Sequence, residues 1–250
     1  MKTMFIKSMI LAVSAVAYSH AIFGIGVQWA PAPGLEVKGN RGSVTPVGSP
    51  QIFLNQAKVS GLTGFGAKLW IDALPFIDIE AGSNVQLGYY DLSVISTTDS
   101  LPVKFDLKVP GVEGKPAFAR IVSDVTVLYP FLKLPPLVSL VKFYAGAGLT
   151  HVIATEVLNS GFGKQAVDKA IAKGTPTATA DDISKVLIQS IKDEGLKSGI
   201  GFHLELGAKL KAPIIPIALY ADTKYHFLNS MPKAVDSKSM TYELGAALAF

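Results

Sequence analysis

The chain is 250 residues long, with 49% hydrophobic residues, 17% charged residues and a formal net charge of +4. It contains no cysteine, which excludes a disulfide framework, a thiol nucleophile and a cysteine-ligated zinc site. Charged residues are rarer than in an average soluble protein. So apolar a composition indicates either a soluble protein with a large all-β core or a protein whose strands face lipid.

The first 21 residues have the three parts of a secretory signal peptide. Lys2 and Lys7 supply the basic start, residues 9–17 form a short apolar run, and Ser19-His20-Ala21 is a small-x-small cleavage site. We expect cleavage after Ala21, with an uncleaved anchor as the alternative. Cleavage removes two lysines and no acid, so the mature domain, 22–250, is nearly neutral and nucleic acid is not an expected partner.

Eight segments of the remaining chain alternate apolar residues with polar or small ones. This period of two is typical of a strand with two unlike faces. The segments are 22–29, 64–72, 76–90, 117–131, 137–153, 198–211, 216–227 and 242–250. After the leader, no apolar run reaches the about 18 residues that a spanning helix needs.

The connections between these segments alternate between short and long. Short links occur around Pro75, around Pro135 and at 213–216, and proline suits them because it cannot donate to a strand ladder. The longer, polar or glycine-rich connections are 30–61, 93–116, 154–197 and 229–239. Short turns at one end and long loops at the other predict an all-β fold, an antiparallel transmembrane β-barrel of about eight strands.

One face of nearly every segment is free of charge, and we expect that face to contact lipid. A secreted soluble β-barrel that binds an apolar ligand is the alternative. In such a barrel the apolar face would point inward and the outer face would carry the charge.

The other face carries the charged residues, so these are predicted to lie inside the barrel. They are Lys68, Asp72, Asp78, Glu80, Arg120, Asp124, Lys142, His203, Glu205, Lys209, Asp222, Lys224 and Glu243. Eight strands leave an interior just wide enough for side chains, and unpaired charges there would be costly. We therefore expect a network of paired charges that fills the lumen, with a narrow polar conduit as the alternative. Inward glycines either make room for bulky partners or leave a cavity.

The connection 154–197 contains two predicted helices within a loop at about 157–195. They are "FGKQAVDKAIAKG" and "TADDISKVLIQSIKDEG", and the second has acids in its first turn and an apolar stripe at helical spacing. A cap packed on the barrel rim is the plain interpretation. A lid, or a surface for an extracellular ligand, is the alternative.

The last segment carries a family resemblance. Glu243, Gly245, Leu248 and Phe250 form a pattern that resembles the C-terminal assembly signal of bacterial outer-membrane β-barrels. The architecture resembles the small eight-stranded barrels of the outer-membrane protein A, X and W type, without indicating a subfamily. The resemblance implies location in the outer membrane, contact with outer-membrane lipid, and recognition by the barrel-insertion machinery during biogenesis.

The role expected from these features is structural or surface interaction, or limited passive passage of small solutes. The alternative is a lipid-modifying barrel enzyme, which would need a Ser/His/acid set near the outer rim. His151, His203 and His226 lie on predicted strands, and Ser198 and Glu205 lie near His203. Ser198 and His203 start on opposite faces, while a hydrogen-bonded interior pair explains His203 and Glu205. We therefore expect no enzyme, and no catalytic, cofactor or metal site.

Overall fold

A computed structural model describes residues 23–45, 51–72, 76–96, 103–104, 117–134, 140–175, 180–211, 215–229 and 231–250. The predicted signal peptide and the short links at Pro75 and Pro135 lie outside these residues. The strands are β1 (Phe23–Trp29), β2 (Ala32–Val37), β3 (Asn40–Ser43), β4 (Ile52–Gln56), β5 (Val59–Ile71), β6 (Asp78–Tyr89), β7 (Leu92–Ser96), β8 (Val103–Lys104), β9 (Ala117–Leu134), β10 (Leu140–Thr155), β11 (Leu196–Lys211), β12 (Ile217–Leu228) and β13 (Lys238–Ala249). The helices are α1 (Ser160–Ala172) and α2 (Ala180–Glu194).

Eight of these strands form a closed ring, as the alternation predicts. The order is β1-β13-β12-β11-β10-β9-β6-β5, and β5 pairs with β1 to complete the circle. Every pairing in the ring is antiparallel. Closure matters because the hydrocarbon core offers no water to an unpaired strand edge, and each unsatisfied backbone group there costs several kcal/mol.

The two faces of the ring differ sharply in chemistry. Large apolar side chains point outward along every ring strand, and Val27, Phe65 and Leu149 are 70%, 68% and 73% exposed. Most charged residues of the same strands are buried on the inside, and the exposed ones, such as Lys133, Lys197 and Lys238, lie near strand ends. This arrangement is opposite to that of the soluble alternative, so the exterior of the barrel is a surface for lipid. No helix among the described residues is long and apolar enough to span a membrane.

One end of the barrel carries a folded cap, which we define as β2, β3, β4, β7, β8, α1 and α2. The strands β3-β4-β7-β8 form a second antiparallel sheet, and β2 pairs with the first residues of β5. Asn159 caps α1, since its side chain accepts a hydrogen bond from the Phe162 N–H at 2.9 Å. Both helices occur where the sequence predicts them.

No strands were predicted in the first two long connections, 30–61 and 93–116. They supply the strands of the cap, and Leu35, Ile52, Leu54 and Val94 enter one continuous apolar core with Ile183 and Leu187 of α2. The strands β2, β3, β4 and β7 have only four to six residues each. A period of two is not distinctive over so short a segment. Their burial comes from packing against the helices.

The cap core continues to the mouth of the barrel. Phe118 and Ala154, at the cap ends of β9 and β10, are part of the same buried cluster. Just below them, Val122, Val152 and Leu228 form a smaller apolar cluster against Met231. Apolar side chains thus lie across the cap end of the lumen.

Candidate functional site

The charged interior begins near the end of the barrel opposite the cap, where β1 begins and β13 ends. Lys142 Nζ lies 2.5 Å from Asp78 Oδ2 and 3.0 Å from Asp72 Oδ2. Lys209 Nζ lies 3.7 Å from Asp72 Oδ1 and 3.8 Å from the centroid of the Trp70 ring, close enough for a cation–π contact. Two lysines and two aspartates therefore form one local group.

The middle of the lumen holds two lysines among carboxylates. Lys68 Nζ lies 2.8 Å from Glu80 and 2.9 Å from Glu243, and it donates a hydrogen bond to Asp222. Lys224 Nζ lies 3.3 Å from Glu80 and 3.4 Å from Glu243. Glu80 and Glu243 are each shared between Lys68 on β5 and Lys224 on β12, so the ion pairs tie opposite sides of the ring together.

A histidine cluster lies next along the axis toward the cap. His226 Nε2 is 3.3 Å from Asp124 Oδ2, and His203 Nδ1 is 3.5 Å from Asp124 Oδ1. The nitrogens of His203 are each 2.9 Å from a threonine hydroxyl, Thr126 on one side and Thr150 on the other. The strand pairing places the two histidines directly opposite each other on β11 and β12.

Amides and hydroxyls form the uppermost polar layer. Arg120 donates to Gln86 at 2.7 Å and to Ser239 at 3.0 Å, and among the described residues it forms no ion pair within 4.0 Å. Asn84 donates to Glu243 at 2.7 Å, which links this layer to the central lysines. The expectation that every inward charge pairs with an opposite charge is therefore wrong for Arg120, because the register places neutral acceptors beside its guanidinium.

All predicted inward residues lie on the inner face, and all are buried except Asp72, which is half-buried near the end of the barrel. They are Lys68, Asp72, Asp78, Glu80, Arg120, Asp124, Lys142, His203, Glu205, Lys209, Asp222, Lys224 and Glu243. Sequence reasoning omitted His226 and the inward aromatic residues from this set, although the same alternation places them on the inner face.

Aromatic rings occupy the space opposite the inward glycines. A Cβ at Gly24 would lie 2.2 Å from the Trp70 ring, and one at Gly245 would lie 2.3 Å from Tyr220 Cζ. Trp70 and Tyr220 meet edge to face, with ring centroids 5.7 Å apart. At these positions glycine makes room for a bulky partner, the first of the two alternatives that the sequence left open.

The four residues of the C-terminal pattern divide between the two faces. Glu243 points inward to Lys68, and Gly245 lies against Tyr220. Leu248 and Phe250 point outward and are 50% and 62% exposed. Two members of the pattern thus contribute to interior packing, and two present apolar side chains to lipid.

Ser198 contacts a different histidine from the one considered in the sequence. Its hydroxyl lies 2.9 Å from His151 Nε2, on the outer face of β10 and β11, and both residues are exposed. In the described parts of the chain, no carboxylate forms a hydrogen bond or ion pair with His151. A Ser–His pair of this kind has no third group to orient the base, as hydrolytic triads do.

The cap has a groove of about 450 Å³ between its two helices. Ala166, Ala170 and Val186 contribute apolar surface. Three lysines and two aspartates line the same groove: Lys169, Lys173, Lys185, Asp182 and Asp193. Below it, Tyr90 is buried and its hydroxyl oxygen accepts a hydrogen bond from the Leu158 N–H at 3.2 Å. Burial raises the pKa of Tyr90 to about 12.

Comparison with known proteins shows similarity of fold. No protein-family model and no curated protein sequence matches the chain. The outer-membrane protein OprG from Pseudomonas aeruginosa is similar with a TM-score of 0.50 and 13% identity, over 93% of this chain and 98% of OprG. Neisserial surface protein A, NspA, has a TM-score of 0.42 and 13% identity, over 91% of this chain and 97% of its own. Ail, the attachment invasion locus protein of Yersinia pestis, has a TM-score of 0.40 and 12% identity, over 92% and 99%.

The fold is that of a small eight-stranded outer-membrane β-barrel. The similarity to OprG supports this fold, and the apolar exterior shows independently that the ring faces lipid. Closed β-barrels with such an exterior cross the membrane with strands. The chain is therefore an integral β-barrel protein of the outer membrane.

Proposed function

We propose that the protein is a closed barrel that holds a folded cap at the outer surface of the cell, and that the cap binds an extracellular ligand. The observation that carries this proposal is the filling of the lumen. Buried ion pairs tie its strands together, aromatic rings lie opposite its glycines, and the apolar core of the cap extends across its mouth. Passage of solutes would require several of these contacts to break.

The outward orientation of the cap rests on the lengths of the connections. Outer-membrane barrels have short turns on the periplasmic side and longer segments on the outside. The cap is built from the long connections, and β1 begins and β13 ends at the opposite end, where Phe23 and Phe250 pair.

The groove between α1 and α2 is the part of the cap that best fits a ligand. Its volume is within the range of small-molecule sites, about 300–1,000 Å³. Both helices contribute apolar side chains to the groove, and its three lysines outnumber its two aspartates by one. This lining suits a ligand with an apolar body and an anionic group. Surface interaction is thus favoured over passive passage. Enzymatic activity has weaker support, because none of the acids that the structure describes orients His151 and Ser198.

Planar-bilayer recording of the purified protein tests the closed barrel. We expect no stable channel at physiological salt. Large, long-lived conductance steps would contradict the proposal and favour the passage of small solutes.

Ligand binding by the groove is tested in lipid nanodiscs with a fluorescent anionic amphiphile, a dansylated fatty acid. Reversing the charge of Lys173 should weaken binding about fivefold, since a partly exposed ion pair contributes up to about 1 kcal/mol. Lys58→Glu is the control, because Lys58 lies outside the groove and pairs with Glu36. Equal binding by all three proteins, or none by the wild type, would contradict this role of the groove.

A further inference from the structure

Three side chains with metal-binding atoms meet inside the barrel, below the apolar cluster at the cap end. Asp124 is on β9, His203 on β11 and His226 on β12, and all three are buried. One ligand atom from each residue lies within 4.8 Å of the others. We propose that Asp124, His203 and His226 bind a divalent first-row metal ion, with zinc as the ion that their chemistry suits best.

Each histidine has a ring nitrogen close to one oxygen of the Asp124 carboxylate. The carboxylate oxygens of Asp124 are 3.3 Å from His226 Nε2 and 3.5 Å from His203 Nδ1. Zinc–ligand bonds of about 2.0–2.2 Å place neighbouring tetrahedral ligands about 3.3–3.6 Å apart. The two short distances are in this range, and the three donor atoms all lie within 4.8 Å of one another.

Hydroxyl groups already hold two of these ligands in place. Thr150 donates a hydrogen bond to Asp124 Oδ1 at 2.7 Å. Thr126 and Thr150 each lie 2.9 Å from a ring nitrogen of His203. Outer hydrogen bonds of this kind orient metal ligands before the ion arrives, and a metal would replace one of the contacts to His203.

Two buried groups beside the cluster have no hydrogen-bond partner among the described residues. They are Nδ1 of His226 and both carboxylate oxygens of Glu205. Glu205 Oε2 lies 3.9 Å from His203 Nε2, beyond hydrogen-bond range but beside the proposed site. Glu205 Oε2 also lies 3.7 Å from Lys224 Nζ, so its carboxylate adds negative charge beside the site without being one of the three proposed ligands.

The surrounding charges also favour a cation. The neighbouring carboxylates are Glu80, Asp124, Glu205, Asp222 and Glu243, and the lysines that pair with them are Lys68 and Lys224. With neutral histidines this group carries more negative than positive charge. Lys224 Nζ lies 3.5 Å from Asp124 Oδ2 and 3.3–3.7 Å from Glu80, Glu205 and Glu243. Its ammonium keeps three other carboxylates if an ion binds Asp124. Protonation of the two histidines is the competing way to supply positive charge.

Refolding with cobalt tests the site, because the buried cluster is best filled while the barrel is open. Untagged protein is unfolded with a chelator, refolded into detergent micelles with Co²⁺, and gel-filtered. We expect about one bound cobalt per chain, with the visible absorption of four-coordinate cobalt, and loss of that absorption when excess Zn²⁺ is present during refolding. His226→Asn and Asp124→Asn should lose the absorption.

His151→Asn is the matched control, because His151 is on the outer face of β10, away from the cluster. It should keep the bound cobalt. Heat-modifiable gel mobility shows which variants fold. If a variant does not fold, the number of cobalt ions bound per wild-type chain still tests the site. The metal site would be overturned if folded wild type retained no cobalt, or if His151→Asn lost as much cobalt as the cluster variants. Protonated histidines would then remain as the source of positive charge.

Discussion

Phe23 and Phe250 exchange two backbone hydrogen bonds at the seam where the ring closes. The Phe23 N–H donates to the Phe250 carbonyl at 3.1 Å, and the Phe250 N–H donates to the Phe23 carbonyl at 2.8 Å. Above this pair, β1 and β13 pair from Gly24 with Ala249 to Trp29 with Leu244. Phe250 is therefore part of the closed backbone ladder, and its side chain lies on the lipid face.

Deleting Phe250 should impair assembly in cells more than folding in detergent. The deletion removes two hydrogen bonds, each about 0.5–1.5 kcal/mol, while the rest of the seam remains. We propose that recognition by the insertion machinery, which the sequence resemblance implies, has no such substitute. Heat-modifiable mobility of refolded protein and membrane fractionation of cells measure the two effects.

Two substitutions in β13 serve as controls for the face assignment. Leu248→Arg should impair both assembly in cells and folding in detergent. A cation on the lipid face costs about 2–4 kcal/mol near the midplane and less near the interface. Ala249→Ser, on the inner face, should be mild. The assignment would be refuted if the protein lacking Phe250 reached the outer membrane in normal amounts while Ala249→Ser did not reach it.

Removing Lys68 should destabilise the barrel strongly. Lys68→Met leaves Glu80, Asp222 and Glu243 without their nearest shared cation, and breaking a buried ion pair costs about 3–5 kcal/mol. Lys58→Met breaks a surface pair with Glu36 at 2.7 Å, and should cost less than about 1 kcal/mol. Urea unfolding in lipid vesicles compares the two variants, and equal costs would show that the interior network contributes little.

Truncating Leu54 should loosen the cap and leave the barrel closed. Leu54 is fully buried in the cap core, and Leu→Ala at such sites costs about 2–5 kcal/mol. Asn55, the next residue of β4, faces solvent, so Asn55→Ala should have little effect. Hydrogen exchange should increase in α1, α2 and β4 of Leu54→Ala only. An equal rise throughout the ring strands would mean that cap and barrel unfold as one unit.

Single cysteines should report which end of the barrel faces outward, since the chain has none of its own. Arg41→Cys and Lys173→Cys place exposed thiols on the cap, and Ile215→Cys places one at a short link of the opposite end. A membrane-impermeant maleimide should label the first two in intact cells and the third only after lysis. The reverse pattern would refute the proposed orientation.

The cap should weaken at high pH through Tyr90. Burial raises its pKa from 10.0 to about 12, so the unfolded tyrosine ionises first. The contribution of Tyr90 to the free energy of unfolding is therefore fully present below pH 10. It falls by an amount on the order of 2 kcal/mol as the pH rises toward 12. Limited proteolysis by an alkaline-active subtilisin should show a steeper rise above pH 10 in wild type than in Tyr90→Phe. Tyr89→Phe, on the outer face, should behave as wild type.

The alternation of the chain was enough to predict the ring strands and their faces. A strand with a period of two has only two ways to face, and the charge-free face is the one that lipid accepts. Lys68, Glu80 and Glu243 could therefore be placed inside the barrel without knowing their partners. The same rule also applied to His226 and Tyr220, which the predicted interior omitted.

The contacts between strands could not be read in this way. Ser198 lies beside His151 rather than His203, and Arg120 beside Gln86 and Ser239 rather than a carboxylate, because these pairings depend on the register of neighbouring strands. The cap strands were missed because four to six residues of alternation are not distinctive, and their burial depends on α1 and α2 packing over them.

The sequence by itself thus determined the barrel, its two faces and the helices of the third long connection, since each is written in a local period. Only the tertiary structure decided how Asp124, His203 and His226 meet and how the cap closes the mouth. Asp124 and His226, for example, are 102 positions apart in the chain. Only ring closure and strand register bring such residues together.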